Sequence, residues 1–374
     1  MTRPLKLALF TDTFDETNGV AHTYRMLADF CVRTGRHLDI YCPSDRTLTE
    51  NRGTVNIRRF QHSIGVRYYD QLKFSVLPNE GLFETFEAAG QYDLVHLAAP
   101  GSIGSWGRTL AKKFKLPTVA VHHTNLHDYA ALRVPKLFAS TARDISLAIL
   151  RRFYRPCRTI LVTTPKMGEW VTRNRLCQRT DLFSRGVDCT LFQPRTEVER
   201  TGPVRFIYVG RLSVEKNLNL LADVLNKVRQ TCDIEMSFVG DGVLRSDLQK
   251  QCPWAEFPGY LKGADLSRAY SESDVFVFPS LTDTYGNVVN EAQASGLPCV
   301  VMDRRGPGEV IEPEKTGFIT PTAELLEEKM TFLATNSEVR HTMGKESRKL
   351  AETRDWDTVF SGLFQTYAQV ARQE

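Results

Sequence analysis

Short apolar runs alternate with amphipathic stretches along this chain, and the alternation starts twice. Leu5-Lys6-Leu7-Ala8-Leu9-Phe10 has the length and composition of a buried parallel strand. From Val20 to about Arg33, Tyr24, Leu27, Ala28 and Cys31 share one helical face, and Gly35 supplies the stop. Leu38–Cys42, Leu94–Leu97, Thr118–Val121 and Thr159–Val162 read as further strands. The pattern begins again at Val204–Val209, with a helix from about Leu218 to Val228, and continues through Glu235–Val239, Val275–Phe278 and Cys299–Val301. Alternation of this kind builds parallel sheets covered by helices, so the expected fold class is α/β, with two doubly wound domains. The polar stretch from Gln193-Pro194-Arg195 to Gly202-Pro203 is bracketed by prolines and marks the expected linker. The first domain is then expected over 1–195 and the second over 203–355.

Composition narrows the function classes. With 374 residues, 42% of them hydrophobic and 25% charged, the chain has enough apolar material for two cores and is not a disordered chain. No window approaches 18 consecutive apolar residues, and Met1-Thr2-Arg3-Pro4 opens no signal-peptide pattern, so a cytoplasmic location is expected. None of the eight cysteines lies two or three residues from another, which argues against a zinc ribbon or a C-x-x-C redox site. The net charge of +4 conceals an asymmetry. Residues 1–200 hold 29 Lys and Arg against 19 Asp and Glu, whereas 201–374 hold 19 against 25. Within 101–200 the balance is 18 basic to 7 acidic. The first half therefore either meets an anion, such as a phosphate-bearing substrate or a lipid surface, or carries a solvated basic face. No nucleic-acid partner is expected.

In doubly wound sheets, ligands bind beyond the carboxyl ends of the strands, which directs attention to the loops there. Asn18-Gly19-Val20 follows the first strand and opens a helix whose N–H groups would suit a phosphate. It is neither G-x-G-x-x-G nor a P-loop, so a dinucleotide dehydrogenase is not expected. Gly210-Arg211-Leu212-Ser213-Val214-Glu215-Lys216-Asn217 follows a buried strand. Arg211 and Lys216 would offer a planar fork and a mobile point charge to a departing diphosphate. Gly240-Asp241-Gly242 reads as a tight turn. The stretch Pro279 to Ala292 carries one carboxylate, Asp283, beside Thr284 in a loop, and a second, Glu291, two turns into a helix opened by Gly286. Amides at Gly286, Asn287 and Val288 suit a phosphate, and a carboxylate accepts the paired hydrogen bonds of ribose hydroxyls. Together these parts describe a nucleotide-sugar site.

Val121-His122-His123-Thr124-Asn125-Leu126-His127-Asp128-Tyr129 follows a strand of the first half. A zinc site, a packed histidine and a substrate-binding histidine are all open from spacing alone, although H-E-x-x-H is absent. Asp355-Trp356-Asp357 is formally a D-x-D, but its place at the start of the last helix favours capping over metal binding.

Taken together, these stretches resemble family 4 retaining glycosyltransferases, over nearly the whole chain. The family's E-x7-E followed by A-x-A-S-G-x-P is matched by Asp283, Glu291 and Ala292-Gln293-Ala294-Ser295-Gly296-Leu297-Pro298. Its G-R-L-x-x-E-K, G-D-G and G-V-D match 210–216, 240–242 and 186–188. The first half resembles the branch with sulfoquinovosyl-lipid synthases and mannosyl-lipid transferases. There Y-H-T precedes a tyrosine five residues on, as His122-His123-Thr124 precedes Tyr129. Two departures stand out: Asp283 is one methylene shorter than the usual glutamate, and Asn18-Gly19 replaces the commoner Gly-Gly.

The resemblance implies the GT-B fold, two Rossmann-like domains facing a cleft, with a last helix over 356–374 that rejoins the first domain. It implies transfer of a hexosyl group from a UDP- or GDP-sugar to an acceptor hydroxyl, on a membrane lipid or a glycan, with anomeric retention and no metal or other cofactor. His123, Arg211, Lys216 and Asp283 would act at the reacting centre. Gly19, Gly242, Thr284, Gly286, Asn287, Val288 and Glu291 would hold the donor. A nucleotide-sugar 2-epimerase and a catalytically silent nucleotide-sugar-binding protein are the alternatives. The basic, apolar stretch Arg143–Arg158 would either rest on anionic lipid at the inner face of the membrane or pack as an ordinary helix.

Overall fold

The computed structural model describes residues 4–16, 18–61, 64–65, 73–74, 80–122, 139–195, 202–283, 285–302 and 306–372. The chain forms two compact units, Met1–Ser184 with Asp357–Glu374, and Arg185–Trp356.

Unit 1 is built on a sheet of eight strands. In chain order they are β1 (Lys6–Phe10), β2 (His37–Ser44), β3 (Leu48–Arg52), β4 (Val55–Gln61), then β7 (Leu94–Leu97), β8 (Thr118–His122), β9 (Thr159–Val162) and β10 (Thr180–Leu182). A two-stranded ribbon, β5 (Ile64–Gly65) and β6 (Lys73–Phe74), lies outside it. The sheet order is β10-β9-β8-β7-β1-β2-β4-β3, parallel except for the antiparallel edge pair β3–β4. β1 is central because it is apolar on both faces: Leu7, Ala8, Leu9 and Phe10 are all buried, and Phe10 stacks on Tyr41 at 4.6 Å. The helix Gly19–Thr34 ends at Gly35, whose φ of 66° makes the left-handed turn, and the chain returns into β2.

The last helix, Trp356–Arg372, lays Phe360, Leu363, Phe364 and Tyr367 into unit 1. Phe30 meets Phe360 and Phe364 at 5.4 and 6.0 Å, and the guanidinium of Arg158 donates to Val370 O at 2.9 Å. His96 ties it down from β7: Nδ1 lies 2.6 Å from Tyr367 Oη, and Nε2 lies 3.0 Å from Tyr24 Oη. Burial pushes this imidazole down to about 3, so it is neutral at physiological pH.

Unit 2 holds six parallel strands, β11 (Val204–Val209), β12 (Ile234–Val239), β13 (Glu256–Gly259), β14 (Val275–Phe278), β15 (Cys299–Val301) and β16 (Gly317–Ile319). Their order, β13-β12-β11-β14-β15-β16, reverses direction between β11 and β14. That reversal is the topological switch point at which such sheets bind ligands. The division between the units falls before Arg185, not in the proline-bracketed stretch from 193. Val187 and Phe192 belong to the unit 2 core, and Arg348 donates to Phe192 O at 2.7 Å, so 185–192 is packed rather than linking. All eight cysteines are free thiols.

Candidate functional site

Unit 2 sends two loops over its switch point. The loop after β11 runs from Gly210 into a single 3-10 turn, Val214–Lys216, and Asn217 enters the left-handed region at φ 58° before the helix Leu218–Val228. A second turn braces it. Leu212 N donates to Asp241 O at 2.9 Å, and Leu244 N donates to Leu212 O at 2.9 Å. A Cβ on Gly240 would lie 2.0 Å from Gly210 O, and one on Gly242 2.4 Å from Leu212 O. Glycine is therefore required at 240 and 242 for backbone-to-backbone fit. The amide of Gly242 donates to Asp241 Oδ1 at 2.8 Å. The same turn braces the Arg211–Lys216 loop.

The two cations of that loop differ sharply. Arg211 has a side chain 58% exposed and lies 3.4 Å from Glu215. Lys216 is only 10% exposed, and its ammonium lies 2.8 and 2.7 Å from the two carboxylate oxygens of Asp283. The Phe278 ring lies 5.6 Å from the same ammonium and stacks on Tyr208. The shorter aspartate thus spans the switch point: it leaves β14 and pairs with the lysine that leaves β11.

Beyond Asp283, Gly286 turns at φ 84° and starts the helix Asn287–Ala294 with no side-chain cap. The first amides of that helix, at Asn287 and Val288, carry the partial positive charge of a helix start. The helix is seated from behind, since Asn290 Nδ2 and Tyr285 Oη donate to Arg185 O at 3.1 and 3.3 Å. Glu291 follows on the same helix. Its Oε2 accepts from Tyr270 Oη at 3.0 Å, and burial pushes its carboxyl up to about 7 against the pull of that hydrogen bond. Tyr270 was not among the expected site residues; within an amphipathic helix, a buried tyrosine carries no signal that separates it from core.

In unit 1, Asn18 Oδ1 accepts from Val20 N and Ala21 N at 3.1 and 2.9 Å. Two of the amides expected to serve a phosphate beside Gly19 are therefore capped by the chain itself. His122 is a packed histidine, stacked on Trp170 at 5.2 Å with Nδ1 3.1 Å from Tyr154 Oη. His123 and Thr284 lie outside the described residues, as do His127 and Asp128. Asp357, in the first turn of the last helix, pairs through both oxygens with Arg33. Among the described residues no cluster of three or more His, Cys, Asp or Glu side chains is arranged to hold a metal.

Two doubly wound parallel sheets are the architecture of the GT-B fold. The chain belongs to glycosyltransferase family 4 and is a hexosyltransferase: the profile for Glycosyltransferase Family 4 matches residues 17–191, and that for Glycosyl transferases group 1 matches 203–336. A GDP-mannose-dependent alpha-mannosyltransferase of Mycobacterium tuberculosis is 29% identical over 378 aligned positions, covering 98% of this chain and 97% of that protein. A sulfoquinovosyl transferase of Arabidopsis thaliana is 28% identical over 377 positions, covering 95% of this chain and 72% of the relative. Among solved structures, a sucrose-phosphate synthase from Thermosynechococcus elongatus superposes with a TM-score of 0.76 at 21% identity, covering 98% and 99% of the two chains.

Proposed function

We propose that this chain moves a hexosyl group from a UDP- or GDP-sugar to a hydroxyl of a membrane lipid, with retention at the anomeric carbon and without a metal. The observation that carries the reading is the Lys216–Asp283 pair astride the switch point, beside the uncapped start of the helix Asn287–Ala294. The anomeric carbon breaks its bond to the diphosphate oxygen and bonds the acceptor oxygen. The acceptor proton passes to the leaving phosphate, as the family resemblance implies. Lys216 and Arg211 balance the charge that grows on the diphosphate, and the Gly286, Asn287 and Val288 amides assist. Glu291 takes the ribose hydroxyls, Asp283 orients the sugar, and His123 supports its reacting end. Arg211, the Lys216 ammonium as it turns from Asp283 toward the diphosphate, and the helix-start amides supply the balancing charge, which is why no metal is invoked.

The lipid acceptor rests on two supports. Relatives include the sulfoquinovosyl transferase and, at 22% identity over 322 positions, an alpha-monoglucosyldiacylglycerol synthase of Streptococcus pneumoniae that covers 79% of this chain and 70% of its own length. The helix Ala139–Tyr154 also buries Leu147, Leu150, Phe153 and Tyr154 while leaving Ile145 and Ile149 57% and 58% exposed beside Arg151 and Arg152. An apolar pair with flanking arginines suits an anionic lipid surface. Among the described residues no helix is long and apolar enough to cross a membrane.

A thermal-shift panel of nucleotides and nucleotide sugars tests the donor; selective stabilisation by a UDP or GDP compound is expected. With that donor and diacylglycerol vesicles, release of UDP or GDP that persists after chelation, and a product of unchanged anomeric configuration by NMR, support the rest. Binding without release in any acceptor would leave the silent-binder alternative standing. Donor turnover with no acceptor would favour the 2-epimerase.

A further inference from the structure

We infer that Tyr270 is a positioning residue for the nucleotide: by holding one oxygen of Glu291, it keeps the carboxylate charged and its other oxygen available to a vicinal diol. The inference rests on the reading above that Glu291 receives the ribose. Tyr270 sits on the helix Gly263–Ser271 and is completely buried, its ring between Phe192 at 5.7 Å and Phe276 at 6.0 Å. An apolar residue would fill that position as well, yet its hydroxyl reaches two acceptors of the neighbouring helix, Glu291 Oε2 at 3.0 Å and Val288 O at 3.3 Å. A phenol has one proton to give, and an ionised carboxylate is the stronger acceptor. Glu291 Oε1 has no hydrogen-bond partner among the described residues.

The electrostatics make this hydrogen bond consequential. Besides Tyr270, the titratable groups acting around Glu291 are Tyr260 beside it, and Cys299 and Tyr208 against Tyr270. None of these is a cation, and among the described residues the influence that favours the carboxylate against burial is the Tyr270 hydroxyl. The phenol itself is held well above its ordinary value by burial and by the carboxylate's charge, so it remains a donor throughout the working pH range. Two vicinal hydroxyls can both donate to the two lone pairs of a charged carboxylate oxygen, whereas a proton on that oxygen turns it into a donor. Nucleotide-sugar affinity should therefore fall as Glu291 takes up a proton near neutral pH, with Tyr270 setting where the fall begins.

The test is calorimetric titration with UDP-glucose and with GDP-mannose from pH 5.5 to 9, on the full chain without acceptor. Their diphosphates, esterified at both ends, have no ionisation of their own in that range. Wild-type affinity is expected to rise to an alkaline plateau with a midpoint near 7. Tyr270→Phe should move the midpoint up by about one pH unit while the plateau changes by about twofold or less. Glu291→Gln should flatten the profile. An unmoved midpoint in Tyr270→Phe, with a flat Glu291→Gln profile, overturns the role of Tyr270 and leaves the ribose reading intact. A wild-type profile in Glu291→Gln, or no binding of either donor, overturns the ribose reading and this inference with it. Should Tyr270→Phe fail to fold, 3-fluorotyrosine at 270, a stronger donor, should move the midpoint down, and a static midpoint overturns the inference.

Discussion

The two sheets share a winding order but treat their switch points in opposite ways. In unit 1, Asp12 leaves β1 and turns into the start of the helix Ser102–Lys113 that follows β7. Its Oδ1 accepts from Ile103 N at 2.8 Å and Ser102 Oγ at 3.0 Å, and its Oδ2 from Gly104 N at 3.4 Å. A Cβ on Gly101 would lie 2.2 Å from Asp12 Oδ2, so glycine at the cap position admits the carboxylate. Burial pushes the Asp12 carboxyl up, and these hydrogen bonds oppose that. In unit 2 the comparable helix start, at Gly286, has no side-chain cap, and the loop carboxylate, Asp283, turns to Lys216. In unit 1 the chain's own anion fills the helix start; in unit 2 the loop carboxylate takes the lysine instead and leaves the helix-start amides without a side-chain cap. The same topology thus carries two different helix starts, and the difference lies in the direction taken by a single loop carboxylate.

The strongest way to break this contrast is Lys216→Ala. Charge on the leaving diphosphate grows toward the transition state, so turnover should drop about 10²–10³-fold while the Michaelis constant for donor changes far less. Steady-state kinetics with varied donor decide it; unchanged turnover with a raised Michaelis constant would make Lys216 a simple binding residue. Next in size is Asp12→Ala. It strips three buried donors of their acceptor and should cost about 2–4 kcal/mol in the unfolding transition of unit 1. Nucleotide binding should be unchanged in calorimetry, because Asp12 serves its own helix. Weakened nucleotide binding would mean that the unit 1 switch point is functional as well.

Asp283→Asn sharpens the contrast from the other side. The ammonium of Lys216 then keeps its full charge for an incoming phosphate, and free UDP or GDP should bind about tenfold more tightly at low salt. Transfer should nonetheless slow, since the amide orients the sugar less well. Weaker binding of the free diphosphate would show that the carboxylate organises Lys216 rather than competing for it.

What was legible in the sequence follows the same physics. β1, β11 and β14 are mostly apolar and mostly buried, and they stand out in composition, as do the apolar parts of β2 and β12. β3 and β4 were missed because an edge pair carries charge: Arg52, Glu50, Arg58 and Arg59 sit in ion pairs on it. β10 and β16 are three residues each and, unlike the equally short but wholly buried and apolar β15, they carry Thr180 and Asp181 or open on Gly317. The placement of Arg211, Lys216 and Asp283 beyond strand ends, and of Glu291 on the helix that follows, was legible because apolar runs directly precede those loops. Gly242 was legible as a motif but not as a spacer, since only a neighbouring backbone 2.4 Å away reveals why no side chain fits. Asp12 and Tyr270 act across 91 and 21 positions of sequence, and no local pattern encodes such pairings.

The smallest expected effect concerns how unit 1 closes, because its last helix rests on a titratable side chain. His96 holds Tyr24 and Tyr367 at its two ring nitrogens, an arrangement that uses the neutral imidazole. Its folded value, about 3, lies below the unfolded value near 6.5, so the unfolded chain binds the extra proton between them. Stability from this group is therefore complete above about pH 6.5 and is lost as pH falls. Between pH 7 and 5.5 the loss should be about 1 kcal/mol. Denaturant midpoints for the transition of unit 1 should show this slope in the wild type and lose it in His96→Gln, whose amide keeps one donor and one acceptor. An equal slope in both would assign the acid sensitivity to other groups and leave the helix anchored by its aromatic contacts alone.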